Sequence, residues 1–180
     1  MNSTPVSSVI SRFLGEALYY DRQVSAAVRQ LRHTLALAPD MPMTRNYLAA
    51  AYGTMDMPEE SLRERQESLR RTGREKQADA LGEVFASGGE PATLRWAIQT
   101  ALSRPDELDG EKAWELAIFH ARLGEIEDGL RWLSEAVQRR GYEVTFAKVH
   151  PALDGLRSDP RFAAILKTMN LRTVTGPDAS

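Results

Sequence analysis

The chain of 180 residues contains no cysteine, which excludes disulfide frameworks, thiolate metal sites and cysteine nucleophiles. Its net charge is only -2 at pH 7, so no strong field favours nucleic acid or an anionic membrane as a partner. No apolar run approaches the roughly 20 residues of a membrane helix, and residues 1–10 lack the pattern of a signal peptide. We therefore expect a cytoplasmic protein that contacts neither membranes nor nucleic acid directly.

Motifs of catalysis and metal binding are also missing. The histidines His33, His120 and His150 form no His-x-x-x-His or His-x-x-Glu pair of the kind that binds zinc. Gly88-Gly89 lacks the Lys-Ser/Thr of a phosphate-binding loop, and no serine stands in a Gly-x-Ser-x-Gly elbow. We expect His120 to be a packing residue, and we expect no enzymatic activity, cofactor or metal site. An active site that spacing alone does not reveal stays an alternative.

Two patterns recur along the chain. In the first, a leucine and a small residue precede a large residue, and the leucines are 34, 33 and 35 residues apart: Leu14, Leu48, Leu81 and Leu116. In the second, Ala27, Ser61, Leu94 and Gly129 each precede by four residues Leu31, Arg65, Ile98 and Leu133. Such spacing places apolar and small residues on one helix face, where a second helix can approach closely. The patterns predict helix hairpins, with no window typical of a strand.

Helix-breaking residues fall where these hairpins need turns. Between units they are Pro39, Gly73, Pro105 and Gly141, and within units the turns are expected at Asp21-Arg22, Pro58, Gly88-Gly89 and Gly124. Proline at the start of a helix and glycine just past its end follow the usual preference. The mixed charges of residues 63–76 are typical of a solvated helix face rather than of a nucleic-acid site.

The first unit, with Leu14-Gly15-x-x-Leu18, Ala27-x-x-x-Leu31 and Pro39, resembles the tetratricopeptide repeat. In the fourth unit, residues 123–130 resemble the inter-helix turn and second helix of that family. The resemblance implies an all-α, right-handed α-solenoid of antiparallel helix hairpins, with about four repeats. These would span 8–41, 42–74, 75–109 and 110–143. Because Arg65 and Leu94 depart from the pattern, three repeats plus an irregular helix pair stay an alternative.

The remaining segments are predicted from local signals. Residues 1–7 are expected to be flexible and residues 172–180 disordered. Residues 144–171 would form a connector and a capping helix, with an extended stretch over 142–150 and one helical turn over 151–156. Asp159 and Pro160 are typical of a helix start. An apolar stripe would then cap the last repeat with Phe162, Ile165, Leu166 and Met169.

The run 156–162 resembles the C-terminal end of repeat domains in bacterial signalling and transcriptional regulators. This resemblance implies a docking or regulatory part that binds another protein, as a peptide or helix, in the concave groove. The implied groove residues are Arg12, Glu16, Tyr19, Tyr20, Asn46, Ala50, Asp79, Glu83, Trp114, Ile118 and Arg122.

Three questions about this groove stay open at the level of sequence. For Trp114, packing against the neighbouring repeat is as well supported as a place in the groove. Glu16 and Tyr47 argue against a groove that grips a partner's C-terminal carboxylate, and the acidic residues favour a partner segment with some positive charge. The alternative function is self-association, as a homodimer that carries an attached effector. An exposed end of the helix stack would favour that alternative.

Overall fold

A computed structural model describes residues 5–169 of the chain. Its α-helices are α1 (Pro5–Tyr20), α2 (Val24–Leu37), α3 (Pro42–Thr54), α4 (Pro58–Arg71), α5 (Glu75–Leu102), α6 (Gly110–Arg122), α7 (Ile126–Gln138) and α8 (Pro160–Thr168). Shorter 3₁₀ helices cover Pro105–Glu107, Tyr142–Phe146 and Pro151–Leu156. No strand occurs between residues 5 and 169, so the all-α prediction is confirmed for that range. The expected tail at 172–180 lies outside the described residues.

Helix ends follow the turn signals of the sequence. Proline occupies the first turn of α3, α4 and α8, where its missing N–H costs no helical hydrogen bond. Gly73 and Gly124 have the positive φ values that favour glycine. Within α5 the backbone leaves helical geometry at Gly88 and Gly89, and Gly89 has a φ of 64°. The predicted turn in the third unit is therefore present as an interruption of α5.

The part of the chain up to Trp96 forms one compact unit. In it α1 packs on α2, α2 on α3, and α3 on α4, which confirms the packing of helices in neighbouring pairs. Its core contains Tyr19, Ala27 and Ala51, each at most 2% exposed. The α3–α4 pair is joined by an ion pair of 2.7 Å between Arg45 and Glu64. Most of the repeated small residues of this unit are buried, namely Gly15, Ala27, Ala49 and Ser61, whereas Gly82 is half-buried.

The part from Ala97 onward forms a second compact unit. Its core is built from α6 and α7, with α8 and the 3₁₀ helices Tyr142–Phe146 and Pro151–Leu156 packed against them. Leu116, Leu133 and Leu156 are fully buried there. The backbones of Gly110 and Gly141 approach so closely that a Cβ on Gly110 would lie 2.5 Å from the nitrogen of Gly141. This contact fixes the end of α7 against the start of α6.

Four predictions for the chain ends meet different outcomes. The extended connector after residue 141 is wrong, because Tyr142–Phe146 is a 3₁₀ helix whose first amide donates to the Glu111 carboxylate. The helical turn at Pro151–Leu156 is confirmed. The predicted start of α8 is also confirmed, because the Asp159 side chain accepts a hydrogen bond from the backbone N–H of Arg161. Helix α1 already begins at Pro5, within the N-terminal segment that was expected to be flexible.

The apolar stripe of α8 packs as predicted. Phe162 is 4% exposed and belongs to the core, and Ile165, Leu166 and Met169 lie against that core. Among the described residues, no helix combines the length and the apolar character that crossing a membrane requires.

Candidate functional site

Helices α1 and α3 carry a hydrogen-bonded group of four side chains, which we term the α1–α3 polar cluster: Arg12, Glu16, Tyr20 and Tyr47. The Tyr47 hydroxyl donates to Oε1 of Glu16 at 2.8 Å and lies 3.4 Å from the Tyr20 hydroxyl. The Arg12 guanidinium donates to Oε2 of Glu16 at 2.7 Å. The cluster joins the first helices of two successive hairpins, and both oxygens of the carboxylate have a partner.

Burial makes these partners necessary. Glu16 is only 8% exposed, and a buried carboxylate is costly unless it is paired and hydrogen-bonded. Burial raises the pKa of the Tyr47 hydroxyl far above its ordinary value, and the neighbouring Tyr20 and Glu16 raise it further. The Tyr47 hydroxyl therefore stays protonated and can donate its hydrogen bond to Glu16. The charges of Arg12 and Glu16 compensate each other, which weakens the expectation that Glu16 attracts a positively charged partner.

Aromatic rings support the cluster from one side. Tyr19 is 2% exposed, and its ring centroid lies 5.6 Å from that of Tyr20 and 6.5 Å from that of Tyr47. The Tyr20 and Tyr47 rings meet edge to face at 6.2 Å, a favourable geometry for aromatic pairs. Tyr20 and Tyr47 are partly exposed, whereas Tyr19 is buried. Tyr19 thus positions its neighbours and offers little surface of its own.

The two groove residues expected on α3 border this cluster. Asn46 is exposed and stands four residues before Ala50, so these two residues lie on one side of α3. Ala50 is half-buried and packs, together with Tyr20 and Tyr47, against the core around Tyr19. The structure therefore brings Ala50 and the expected residues of α1 to one face, with Asn46 at its edge.

Asp79 and Glu83 lie on α5 and are both exposed. Asp79 is 3.2 Å from the Arg70 guanidinium of α4, in an ion pair that solvent reaches. Glu83 forms no ion pair or hydrogen bond with another side chain of the described residues. Of the three acids that were expected to favour a positive partner, Glu83 is the one whose charge is uncompensated.

Trp114, Ile118 and Arg122 lie on α6, in the unit that starts at Ala97. Trp114 is 3% exposed and belongs to the core of that unit, where its ring meets His150 edge to face at 5.4 Å. Trp114 is therefore a packing residue in the core of this unit. Ile118 and Arg122 are half-buried on the same helix.

Sequence reasoning did not assign Tyr47 to the partner-binding set. A signal was present, because Tyr47 stands three residues before Ala50, the groove residue expected on α3, and residues so spaced share one face of a helix. The repeat spacing of 34 residues makes Tyr47 the counterpart of Phe13.

One group of side chains in the second unit has the composition of a metal site. His120, Glu125 and Asp128 each place a potential ligand atom within 4.8 Å of the others. However, Nδ1 of His120 lies 2.7 Å from Oε2 of Glu125, and Asp128 accepts hydrogen bonds from Arg131 that lower its pKa. A guanidinium at the site disfavours a cation. The group is best explained as a link between the end of α6 and the start of α7.

Comparison with known proteins gives no match: no family model, no curated protein and no solved structure matches this chain. What the site can bind therefore follows from its own chemistry.

Proposed function

We propose that this chain is a helical-repeat protein of the tetratricopeptide type, which binds a segment of another protein on the face formed by α1 and α3. The observation that carries the proposal is the α1–α3 polar cluster, with two partly exposed tyrosines fixed beside an exposed asparagine. Tyrosine and arginine are enriched among the residues that dominate binding energy at protein interfaces. The proposal assigns the chain no catalytic step, cofactor or metal.

The arrangement of the cluster supports binding in a second way. Hydrogen bonds hold Arg12, Glu16 and Tyr47 in one geometry, so a partner would not have to order them. Side chains that are already ordered lower the entropic cost of association, which is a substantial part of any binding free energy. A face with fixed tyrosines and a compensated charge pair suits a mixed polar and apolar peptide or helix.

The repeat interpretation supports the proposal at the level of the fold. The helices pack in neighbouring pairs, and the small residues of the second pattern, such as Ala27 and Ser61, are buried. In a right-handed solenoid of the tetratricopeptide type, the first helices of the hairpins line the concave groove. In that arrangement α1 and α3 face the partner, and the chain serves as a docking part of a bacterial signalling or transcription system.

Site-specific cross-linking tests the proposal. A photoactivatable amino acid is placed at position 46 in place of Asn46, and in a control at position 36 in place of Ala36, which is exposed on α2. We expect one cellular protein to be captured through position 46 and not through position 36. Equal capture from both positions, or capture from neither, contradicts the proposal.

Binding of the captured protein then tests the face quantitatively. Asn46→Arg introduces a long charged side chain one helical turn before Ala50, at the edge of the proposed face, and Ala36→Arg introduces the same side chain on α2. We expect Asn46→Arg to weaken binding at least tenfold and Ala36→Arg to leave it unchanged. Circular dichroism of both variants checks that the helices are intact.

Self-association is the second candidate function, and a specific observation favours it. Apolar side chains of α1 are exposed although the matching positions of α3 are buried. This face is distinct from the polar cluster.

A further inference from the structure

Helix α2 carries an exposed group of basic side chains, which we term the α2 basic face: Arg29, Arg32 and His33. Arg32 and His33 follow Arg29 by three and four positions, so the three residues share one side of the helix, with Cβ atoms roughly 5–6 Å apart. Arg29 stands two residues from each of the buried Ala27 and Leu31. It therefore lies roughly 160° around the helix axis from both, and the face is on the side of α2 away from the core.

Acidic groups do not balance the charges of this face. Helix α2, Val24–Leu37, contains no aspartate and no glutamate. Among the described residues, neither Arg29 nor Arg32 forms an ion pair or a hydrogen bond through its side chain. Each guanidinium has five N–H donors, and those of Arg29 and Arg32 are therefore available to an acceptor on another molecule.

The matching arginines of other hairpins are compensated. In α2, α4 and α7 an arginine follows the small residue of the second pattern by two positions: Arg29, Arg63 and Arg131. Arg63 lies 3.2 Å from Glu60, and Arg131 lies 2.7 Å from Asp128, each on its own helix. Pairs of this spacing are typical of a solvated helix face. Of these three helices, only α2 presents its arginines without an acidic neighbour.

We propose that the α2 basic face binds an acidic segment of a partner protein. A guanidinium binds a carboxylate through two parallel hydrogen bonds. Arg29 and Arg32 lie about one helical turn apart, which is also the separation of two acidic side chains three or four positions apart on a partner helix. His33 adds a ring N–H donor at the same place. The two surfaces are therefore complementary in charge and in spacing.

The extent of the face favours a protein segment over a larger polyanion. Arg29 and His33 are separated by about 6 Å along the helix axis. Duplex DNA and anionic membranes hold proteins through many basic groups at once, whereas this face supplies two arginines and the chain as a whole has a net charge of -2. A pair of carboxylates needs no more than that. The inference goes beyond the proposed function, because it uses another helix and does not depend on the α1–α3 polar cluster.

Selection of random peptides displayed on phage tests the proposal. The wild-type chain is immobilised, and an excess of the variant Arg29→Glu, Arg32→Glu is present in solution. This competitor removes peptides that bind anywhere else on the chain, so we expect the retained peptides to be enriched in aspartate and glutamate. A retained pool without that enrichment overturns the proposal.

A matched competitor makes the selection specific to α2. Arg95 and Arg140 are also exposed, and neither has a side-chain partner within residues 5–169. The variant Arg95→Glu, Arg140→Glu therefore changes net charge by the same amount and leaves the α2 basic face intact. As the competitor, it should remove the acidic peptides. If acidic peptides are retained equally with both competitors, their binding does not involve α2 and the proposal is wrong.

Fluorescence anisotropy of a retained peptide then measures the interaction. We expect Arg29→Glu, Arg32→Glu to weaken binding at least tenfold, and Arg95→Glu, Arg140→Glu to change it less than twofold. Binding should also weaken as salt is added, because exposed charges are screened, and it should be lost when amides replace the carboxylates of the peptide. Equal losses in the two variants, or binding that survives the amide replacement, overturn the proposal. Circular dichroism checks that both variants keep their helices.

Discussion

Tyr47 and Glu16 are joined by a 2.8 Å hydrogen bond that connects α3 to α1, across 31 positions of the chain. The bond satisfies a carboxylate that is only 8% exposed. Because the two residues sit on the first helices of successive hairpins, their contact fixes the relation between those hairpins.

Removing the hydroxyl of Tyr47 should destabilise the unit that ends at Trp96. Tyr47→Phe leaves Oε1 of Glu16 without its donor, and a buried acceptor that loses its partner costs about 1–2 kcal/mol. Urea unfolding followed by circular dichroism measures this change. Tyr142→Phe is the matched control, because Tyr142 is 71% exposed, and its free energy of unfolding should change by less than about 0.5 kcal/mol. Equal effects of the two variants would contradict this role of Tyr47.

The same residue predicts a loss of stability at alkaline pH. Burial, followed by the proximity of Tyr20 and Glu16, raises the pKa of Tyr47 above its ordinary value. The unfolded chain then releases the Tyr47 proton near pH 10 while the folded chain retains it, so this contribution is fully present below pH 10 and falls above it. The slope from one such group is at most about 1.4 kcal/mol per pH unit. Unfolding of wild type and Tyr47→Phe between pH 9 and pH 11 should show a shallower decline for the variant.

The glycine pair of the second unit predicts a sharp steric effect. A Cβ on Gly110 would lie 2.5 Å from the nitrogen and 2.7 Å from the Cα of Gly141, and backbone atoms cannot rotate away. Gly110→Ala should therefore cost about 3 kcal/mol. Gly155→Ala is the control, since a Cβ there meets nothing within 4 Å, and it should leave the thermal midpoint nearly unchanged. A Gly110→Ala variant as stable as the control would show that the two backbones are not in contact.

The hydrogen bonds of Arg161 lead us to expect an unusually low pKa for the Asp159 carboxyl group at the start of α8. Hydrogen bonds from the Arg161 side chain, and then from its backbone N–H, lower the pKa of Asp159 to about 2. A depressed pKa contributes stability above the ordinary range for aspartate, and this contribution is lost as pH falls towards 2. Carbon-detected NMR titration should place the Asp159 midpoint near that value. Arg161→Ala should move it up only part of the way, because the backbone N–H still donates; an unchanged midpoint would contradict the assigned cause.

We expect the negative charge of Glu83 to strengthen partner binding. This prediction rests on the proposed function. Glu83 is exposed on α5, and reversal of its charge should weaken a partner segment that carries positive charge. We expect Glu83→Lys to reduce binding of the captured protein, with a smaller effect at high salt because exposed charges are screened. Glu59→Lys on α4 makes the same change at another exposed position and should leave binding unchanged. Equal losses would indicate a general effect of net charge.

Local patterns in the sequence determined most of the secondary structure. Proline and glycine positions predicted the turns, because a missing N–H or a positive φ ends a helix irrespective of what lies around it. Asp159 predicted the start of α8 for the same local reason. The extended connector near Tyr142 was wrong, since a hydrogen bond to Glu111, 31 residues earlier, accompanies a 3₁₀ helix there.

The tertiary structure decided which members of each pattern are accessible. Leu14 and Leu48 occupy the same place in the repeat, yet one is 51% exposed and the other 1%. Tyr19 and Trp114 have the composition of interface residues, but both are buried in the cores of their units. The sequence by itself determined most of the helices, their breaks and the apolar side of each helix, because these depend on spacing within about ten residues. Only the tertiary structure decided which of those sides a neighbouring helix covers and which acid meets which tyrosine, because those depend on contacts between residues distant along the chain.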